Sequence, residues 1–268
     1  MKPKQILETQ ICVNAATGRM GQQIIHQIVE STSCELSAAL CRSAHPYRGK
    51  SVRGGHKVKY SNDIDAGLFV SQVLIDFSLP SVSIALLEKA ISTKTPVLIG
   101  TTGFDDKELQ LIDQASKKIP VLLAPNTSIG VNTTLSLIEK ATQLLGKSAD
   151  IEIIETHHKH KLDAPSGTAL KIGEVICDTL ETDLSETVVY DRSQRSAERS
   201  QSEIGISVVR AGSVVGEHKV MFALENELIS IEHKAQSRQC FAEGAVKAAC
   251  WLAKQPNGLY SMKDFLNL

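Results

Sequence analysis

The first half of the chain alternates short apolar runs with stretches of helical period. Continuous apolar or β-branched clusters at 11–13, 35–40, 73–76, 97–99 and 121–123 are too short for helices and predict strands. Between them, residues 19–31, 81–93 and 105–117 place apolar side chains at helical spacing, with Ser81 and Asp105 as candidate N-caps of the last two. Strands alternating with helices demand a parallel sheet covered by helices, a doubly wound α/β layer. Residues 44–62 hold Pro46, Gly49, Gly54 and Gly55 among scattered Lys and Arg and predict a mobile loop.

From Ser128 the pattern changes. A long amphipathic segment runs to Leu145, followed by a strand at 151–155, a polar His/Lys-rich loop and a helix from about Ser166 to Leu180. Residues 191–203 are polar and read as a solvated excursion. Strands follow at 204–209, 213–224 and 228–233, and residues 242–253 predict a closing helix. Strands clustered after helices predict an open mixed sheet, with one face for helices and one free for a partner.

Composition narrows the function classes. Among 268 residues, 29 Lys and Arg against 30 Asp and Glu leave a formal charge of −1, so no charge excess drives binding to nucleic acid or an anionic membrane. No apolar run approaches the ~18 residues of a membrane helix. The opening Met1-Lys2-Pro3-Lys4-Gln5 leads into Glu8-Thr9-Gln10 rather than a signal-peptide core, which predicts a cytoplasmic chain. The six cysteines, at 12, 34, 41, 177, 240 and 250, never form a CxxC pair and read as buried reduced thiols of a reducing compartment.

The first strand ends in Val13-Asn14-Ala15-Ala16-Thr17-Gly18-Arg19-Met20-Gly21. A dinucleotide-binding turn needs small residues so that the backbone can approach a pyrophosphate and aim a helix N-terminus at it. The glycine pattern is degraded here, and a plain strand–turn–helix connection would suit the same residues. An NAD-specific site places Asp or Glu at the end of the second strand for the ribose 2′-hydroxyl. Leu40-Cys41-Arg42-Ser43 carries no carboxylate there, and Arg42 can pair with a 2′-phosphate or stand as an ordinary surface arginine. Gly100-Thr101-Thr102-Gly103 and Ala124-Pro125-Asn126-Thr127-Ser128 follow consecutive strands at the edge where open α/β sheets bind ligands, and together suggest a nicotinamide ledge.

The densest chemistry is the run from Glu155 to Ala169, with His157, His158, Lys159, His160 and Lys161 ahead of Pro165-Ser166-Gly167-Thr168. A helix start of this kind offers free N–H groups and hydroxyls to a carboxylate, and the basic residues supply proton donors. A zinc site on the three histidines is disfavoured because Lys159 and Lys161 would repel a cation, so no metal is expected. A solvated basic loop with a purely structural helix start remains open.

Gly18-Arg19-Met20-Gly21, Gly100-Thr101-Thr102-Gly103, residues 126–132 and the run from Glu155 to Ala169 resemble the dihydrodipicolinate reductases of bacterial lysine biosynthesis. The resemblance continues through Arg210-Ala211-Gly212, Gly216-Glu217-His218 and residues 241–245, and so spans nearly the whole chain. It implies a Rossmann-like dinucleotide domain at 1–128, a substrate and tetramer-forming α/β domain at 129–237, and a segment at 238–268 returning to the first. It implies catalysis by His157 and Lys161, with Lys161 the proton donor. His158, Ser166, Gly167 and Thr168 would meet a substrate carboxylate. The cofactor set would be Ala15, Gly18, Arg19, Met20 and Arg42, with Gly100, Thr101, Thr102, Ala124, Pro125, Asn126 and Thr127 on the nicotinamide side. Two departures stand out: Ala15 replaces the first glycine, and Cys41 stands where some members carry an acid. The expected ligands are therefore a small dicarboxylate and NADPH in preference to NADH, in a homotetramer with neither nucleic acid nor membrane as partner.

Two rival classes make different demands on the sequence. A regulatory Rossmann protein without turnover would need no proton-donor cluster. An aspartate-semialdehyde dehydrogenase-like enzyme would need a nucleophilic cysteine, and no Cys falls between 42 and 176.

Overall fold

The structure, a computed structural model, describes residues 8–55, 57–193 and 196–268. The opening residues Met1 to Gln5 lie outside them, as do His56 of the 44–62 segment and Gln194 and Arg195 of the 191–203 segment. The elements begin with β1 (Thr9–Asn14), α1 (Arg19–Val29), β2 (Cys34–Leu40), β3 (Tyr60–Ser61), α2 (Ile64–Phe69), β4 (Val73–Asp76) and α3 (Pro80–Thr93). They continue through β5 (Val97–Ile99), α4 (Asp106–Ser116), β6 (Pro120–Leu123), α5 (Ile129–Leu145), β7 (Asp150–His157), α6 (Gly167–Leu180) and α7 (Leu184–Thr187). The chain closes with β8 (Val188–Val189), β9 (Ile204–Arg210), β10 (Gly216–Ala223), β11 (Leu228–Ala235), α8 (Gln239–Leu252), β12 (Gly258–Tyr260) and α9 (Met262–Leu266). Two compact units result, one running up to Ile129 and including Gln239–Leu268, the other Gly130–Arg238.

In the first unit the sheet order is β12-β6-β5-β4-β1-β2-β3, with every pairing parallel. Alternate strand residues feed two cores. Ile11, Val13, Ile75 and Leu98 pack under α1 and α8, while Cys12, Leu74, Val97 and Val121 pack under α2, α3 and α4. Burial on both faces is why these strands read as continuous apolar runs, and each fully buried large side chain contributes about 1.5–3 kcal/mol. The doubly wound expectation holds, with the strand order reversing between β1 and β4.

Local details differ from the sequence expectation where a stronger signal lay next door. α3 starts at Pro80, with Leu79 rather than Ser81 as N-cap, because proline's fixed φ suits the first helical position. Asp105 does cap α4, in a capping box with Glu108. The 44–62 segment is tied down at both ends: Val52 is buried in the core, its N–H donates to the Val58 carbonyl at 2.9 Å, and β3 pairs with β2.

The second unit is a mixed sheet of order β11-β10-β7-β9-β8. Ile151, Ile153, Ile206, Val220 and Phe222 face α5 and α6, whose Ile138, Ile172 and Ile176 complete the core. On the other face Lys219 lies opposite Glu232 and Glu217 opposite Lys234, so the expected free face is present and carries paired charges. The described residues of the 191–203 segment are mostly exposed, as expected of a solvated excursion, but two of its arginines are anchored. Arg192 bonds Glu152 and Glu203, and Arg199 bonds Asp150 and Glu152 together with the Ile151 and Glu203 carbonyls, which docks the segment on β7. Among the described residues no helix is long and apolar enough to cross a membrane.

Candidate active site

At the carboxyl edge of the parallel sheet, β1 runs into a turn in which Ala15 adopts φ 49° and the Gly18 N–H donates to the Ala15 carbonyl at 2.8 Å. A Cβ on Gly21 would lie 2.3 Å from that carbonyl oxygen, so this position admits only glycine. No side chain caps α1, and its first turn, from Arg19 through Met20, carries no carboxylate. First-turn N–H groups and the positive end of the helix dipole thus stay open to an anion, which fits the diphosphate of a dinucleotide.

Asp76, fully buried at the end of β4, ties the neighbouring strand ends together. Its carboxylate accepts from Asn14 Nδ2 at 2.7 Å, from the Ser83 hydroxyl and from Thr101 Oγ1 at 3.4 Å. The Thr101 hydroxyl also accepts from the Ser78 N–H, so its polar bonds run inward and Thr102 is the exposed threonine of the pair. Gly100 lies against Phe77, whose ring a Cβ would meet at 2.2 Å. After β6, Ala124 is buried, Pro125 is exposed, and Asn126 accepts from the Ser128 N–H. The Thr127 hydroxyl donates to the Phe241 carbonyl at 2.7 Å, while Gly244 of α8 approaches the Thr127 carbonyl so closely that a Cβ would lie 1.9 Å away. Arg42 is exposed just beyond β2, next to the buried Cys41, whose thiol burial pushes up.

In the second unit the start of the His/Lys run, His157, is held by one carboxylate. Glu155 is fully buried, and both of its oxygens are engaged: Arg210 donates at 2.8 and 2.9 Å, the Ser166 N–H at 2.9 Å, and His157 Nδ1 lies 2.5 Å away. Burial alone would raise the Glu155 carboxyl, but Arg210, His157 and the Ser166 N–H outweigh it and hold the group below the usual carboxylate range. Ser166 caps α6 by accepting from the Ala169 N–H at 3.2 Å, and its hydroxyl also bonds His218 Nε2 at 3.0 Å. Burial, with His157 next, pushes His218 down to about 4, so its ring is neutral at physiological pH.

Because Ser166 occupies the Ala169 N–H, the Gly167 and Thr168 N–H groups are the α6 donors left for a ligand. Lys161, partly exposed, pairs with Asp163 at 2.8 Å, and its N–H donates to the His158 carbonyl. Burial lowers the His158 imidazole, and the Arg238 cation adds to the effect. The second unit thus carries a helix N-terminus with N–H groups able to bind an anion and, in the strand end and loop just before it, imidazoles and Lys161 able to donate protons.

Two comparisons of sequence decide the family. Residues 9–127 match "Dihydrodipicolinate reductase, N-terminus" and residues 130–266 match "Dihydrodipicolinate reductase, C-terminus". The chain belongs to the dihydrodipicolinate reductase family. It is 43% identical over 267 residues to the 4-hydroxy-tetrahydrodipicolinate reductase of Alkalilimnicola ehrlichii, covering 98% of this chain and all of that one. The namesake enzyme of Nitrosospira multiformis is 44% identical over 262 residues, covering 96% and 97%. Among solved structures, a dipicolinate-bound dihydrodipicolinate reductase from Paenisporosarcina shares the fold at TM-score 0.79 and 24% identity, covering 95% and 98%. An aspartate semialdehyde dehydrogenase from Vibrio cholerae shares the scaffold at TM-score 0.57 and 11% identity, covering 92% and 99%, so the fold alone does not separate the rival enzymes.

Within this dihydrodipicolinate reductase family member, sequence reasoning left Asp76, Glu155, Arg210, His218 and Arg238 without roles. Glu155, Arg210 and His218 stand in the very motifs that carried the resemblance, and alternation along β7 puts Glu155 and His157 on one face. Nothing local in the sequence joins Arg210 to Glu155 across 55 positions.

Proposed function

We propose that this family member reduces 4-hydroxy-tetrahydrodipicolinate to tetrahydrodipicolinate, the step its relatives are named for, in diaminopimelate and lysine biosynthesis. Reduced nicotinamide supplies the hydride when bound. The parallel unit holds the dinucleotide: Gly18, Arg19 and Met20, entered through Ala15, present α1 to the diphosphate. Gly100, Thr101 and Thr102 with Ala124, Pro125, Asn126 and Thr127 form the nicotinamide side.

The second unit receives a small dicarboxylate, the ligand class of the Paenisporosarcina enzyme. The Gly167 and Thr168 N–H groups, His158 and the Lys161 ammonium hold a carboxylate. Ser166 works through its neighbours, since its own polar groups are committed to Glu155, Ala169 and His218. Lys161 donates the proton that completes reduction, and His157 assists. The observation that supports this reading is that Glu155 bonds both His157 and the Ser166 N–H at the start of α6, with Lys161 in the loop between those two residues.

NADPH is preferred and NADH is used. The end of the second strand, Leu40-Cys41-Arg42-Ser43, includes no carboxylate to repel a 2′-phosphate, and charge-assisted bonds from Arg42 contribute about 1.5–3 kcal/mol before salt screening. The free face of the second sheet serves a homotetramer, and the enzyme works in the cytoplasm. Titration with dipicolinate tests the anion site: wild type binds it, and Lys161→Ala binds it at least about tenfold more weakly. Equal affinity would remove Lys161 from that role.

A further inference from the structure

The Glu155 carboxylate offers about four acceptor positions, and four donors reach it. Two come from the Arg210 guanidinium, one from the Ser166 N–H, and the fourth is His157 Nδ1. An ionised carboxylate cannot donate, so the short contact to His157 requires the proton to sit on Nδ1 whether the imidazole is neutral or charged. The other ring nitrogen has a different setting. A Cβ on Gly216 would lie 2.9 Å from His157 Nε2, so any side chain at that position would cover the nitrogen that glycine leaves open.

We infer that Glu155 is a positioning residue that locks the His157 proton on Nδ1, so that His157 exchanges protons only through Nε2, and that Gly216 is the residue that keeps Nε2 accessible. The inference rests on the proposed role of His157 in proton transfer and adds which of its atoms performs it. The groups facing His157 agree with one exchanging nitrogen. Arg210 on β9 neutralises Glu155. His218 on β10, ring to ring at 5.2 Å and edge-on, is neutral and bonded to Ser166, so it offers His157 no competing charge. His158 adjoins it in sequence, and Lys161, in the loop that follows, bears electrostatically on both His158 and His218.

Nitrogen NMR of the histidine-labelled full chain, with His157 assigned by the signal lost in His157→Asn, reads the tautomer directly. In the neutral ring the expected state is a protonated Nδ1 and a bare Nε2. In Glu155→Gln the amide N–H donates to Nδ1, which moves the proton to Nε2 and lowers kcat about 100-fold or more with KM nearly unchanged. Gly216→Ala leaves the Nδ1 proton in place but lowers kcat at least tenfold, a separation that a merely structural role for Glu155 does not produce. If Glu155→Gln does not fold, the wild-type spectrum and Gly216→Ala decide. A neutral wild-type ring with its proton on Nε2 and Nδ1 bare, or a folded Glu155→Gln with kcat within threefold of wild type, overturns the inference. Absence of any reductase turnover in the wild type would instead count against the proposed reaction, and the spectrum would still read the tautomer.

Discussion

Replacing Arg210 by methionine isolates the energetics on which the site depends. The side chain keeps most of its bulk while Glu155 loses two of its four donors and its guanidinium partner. Removing one partner of a buried pair costs about 3–5 kcal/mol, and because Arg210 itself is partly solvated the lower end applies, about 3 kcal/mol at neutral pH. For a chain of this size that lowers Tm by roughly 6–12 °C.

The pH dependence carries a sign. In the wild type the Glu155 carboxyl sits below its unfolded value, so its stabilising contribution is present above that value, near pH 4.3–4.5, and is lost as pH falls through the folded pKa. Without Arg210, burial raises the carboxyl above its unfolded value. The variant then recovers stability as pH falls toward the unfolded pKa. The gap between wild type and Arg210→Met is therefore widest at pH 7–8 and narrows on acidification. Urea unfolding at pH 7.5 and 5 measures it, and a gap below about 1 kcal/mol, or one that widens in acid, would refute the reasoning.

Other perturbations have distinct readouts. Lys161→Ala lowers kcat by about 10²–10⁴-fold while dinucleotide affinity, read by fluorescence titration, is kept. Arg42→Ala removes a preference for NADPH of up to about 100-fold in the kcat/KM ratio, and an unchanged ratio would mean the 2′-phosphate is read elsewhere. Gly21→Ala forces a Cβ against the Ala15 carbonyl at 2.3 Å and weakens dinucleotide binding more than it changes dipicolinate binding, which paired titrations compare. Dialysis against a chelator leaves turnover unchanged, whereas a loss restored by zinc would revive the metal reading of the histidine run.

What the sequence made legible was local. Asp105 and Glu108 lie three positions apart, and their capping box reads directly from the chain. The strands of the parallel sheet announce themselves because burial on both faces leaves no polar interruption. α2 was missed because six residues are too few to show a helical period. The anchoring of the 191–203 segment was hidden for a different reason: Arg192 and Arg199 look like solvent-facing residues until β7, 40 or more positions away, supplies Asp150 and Glu152. The same distance hid the centre of the site, where Glu155, Arg210 and His218 come from three strands and meet only in the folded sheet. The motif residues His157, Lys161, Gly167 and Thr168 were visible because one continuous stretch of strand end, loop and helix start carries them all.

The central claim is that the second unit's His157–Lys161 region serves nicotinamide-dependent reduction of a cyclic dicarboxylate. Its most direct test follows nicotinamide absorbance as the purified chain meets freshly generated 4-hydroxy-tetrahydrodipicolinate. The account predicts substrate-dependent oxidation of NADPH, slower oxidation of NADH, and loss of both in Lys161→Ala. A folded wild-type chain that oxidises neither cofactor, or a Lys161→Ala variant that turns over normally, would contradict it.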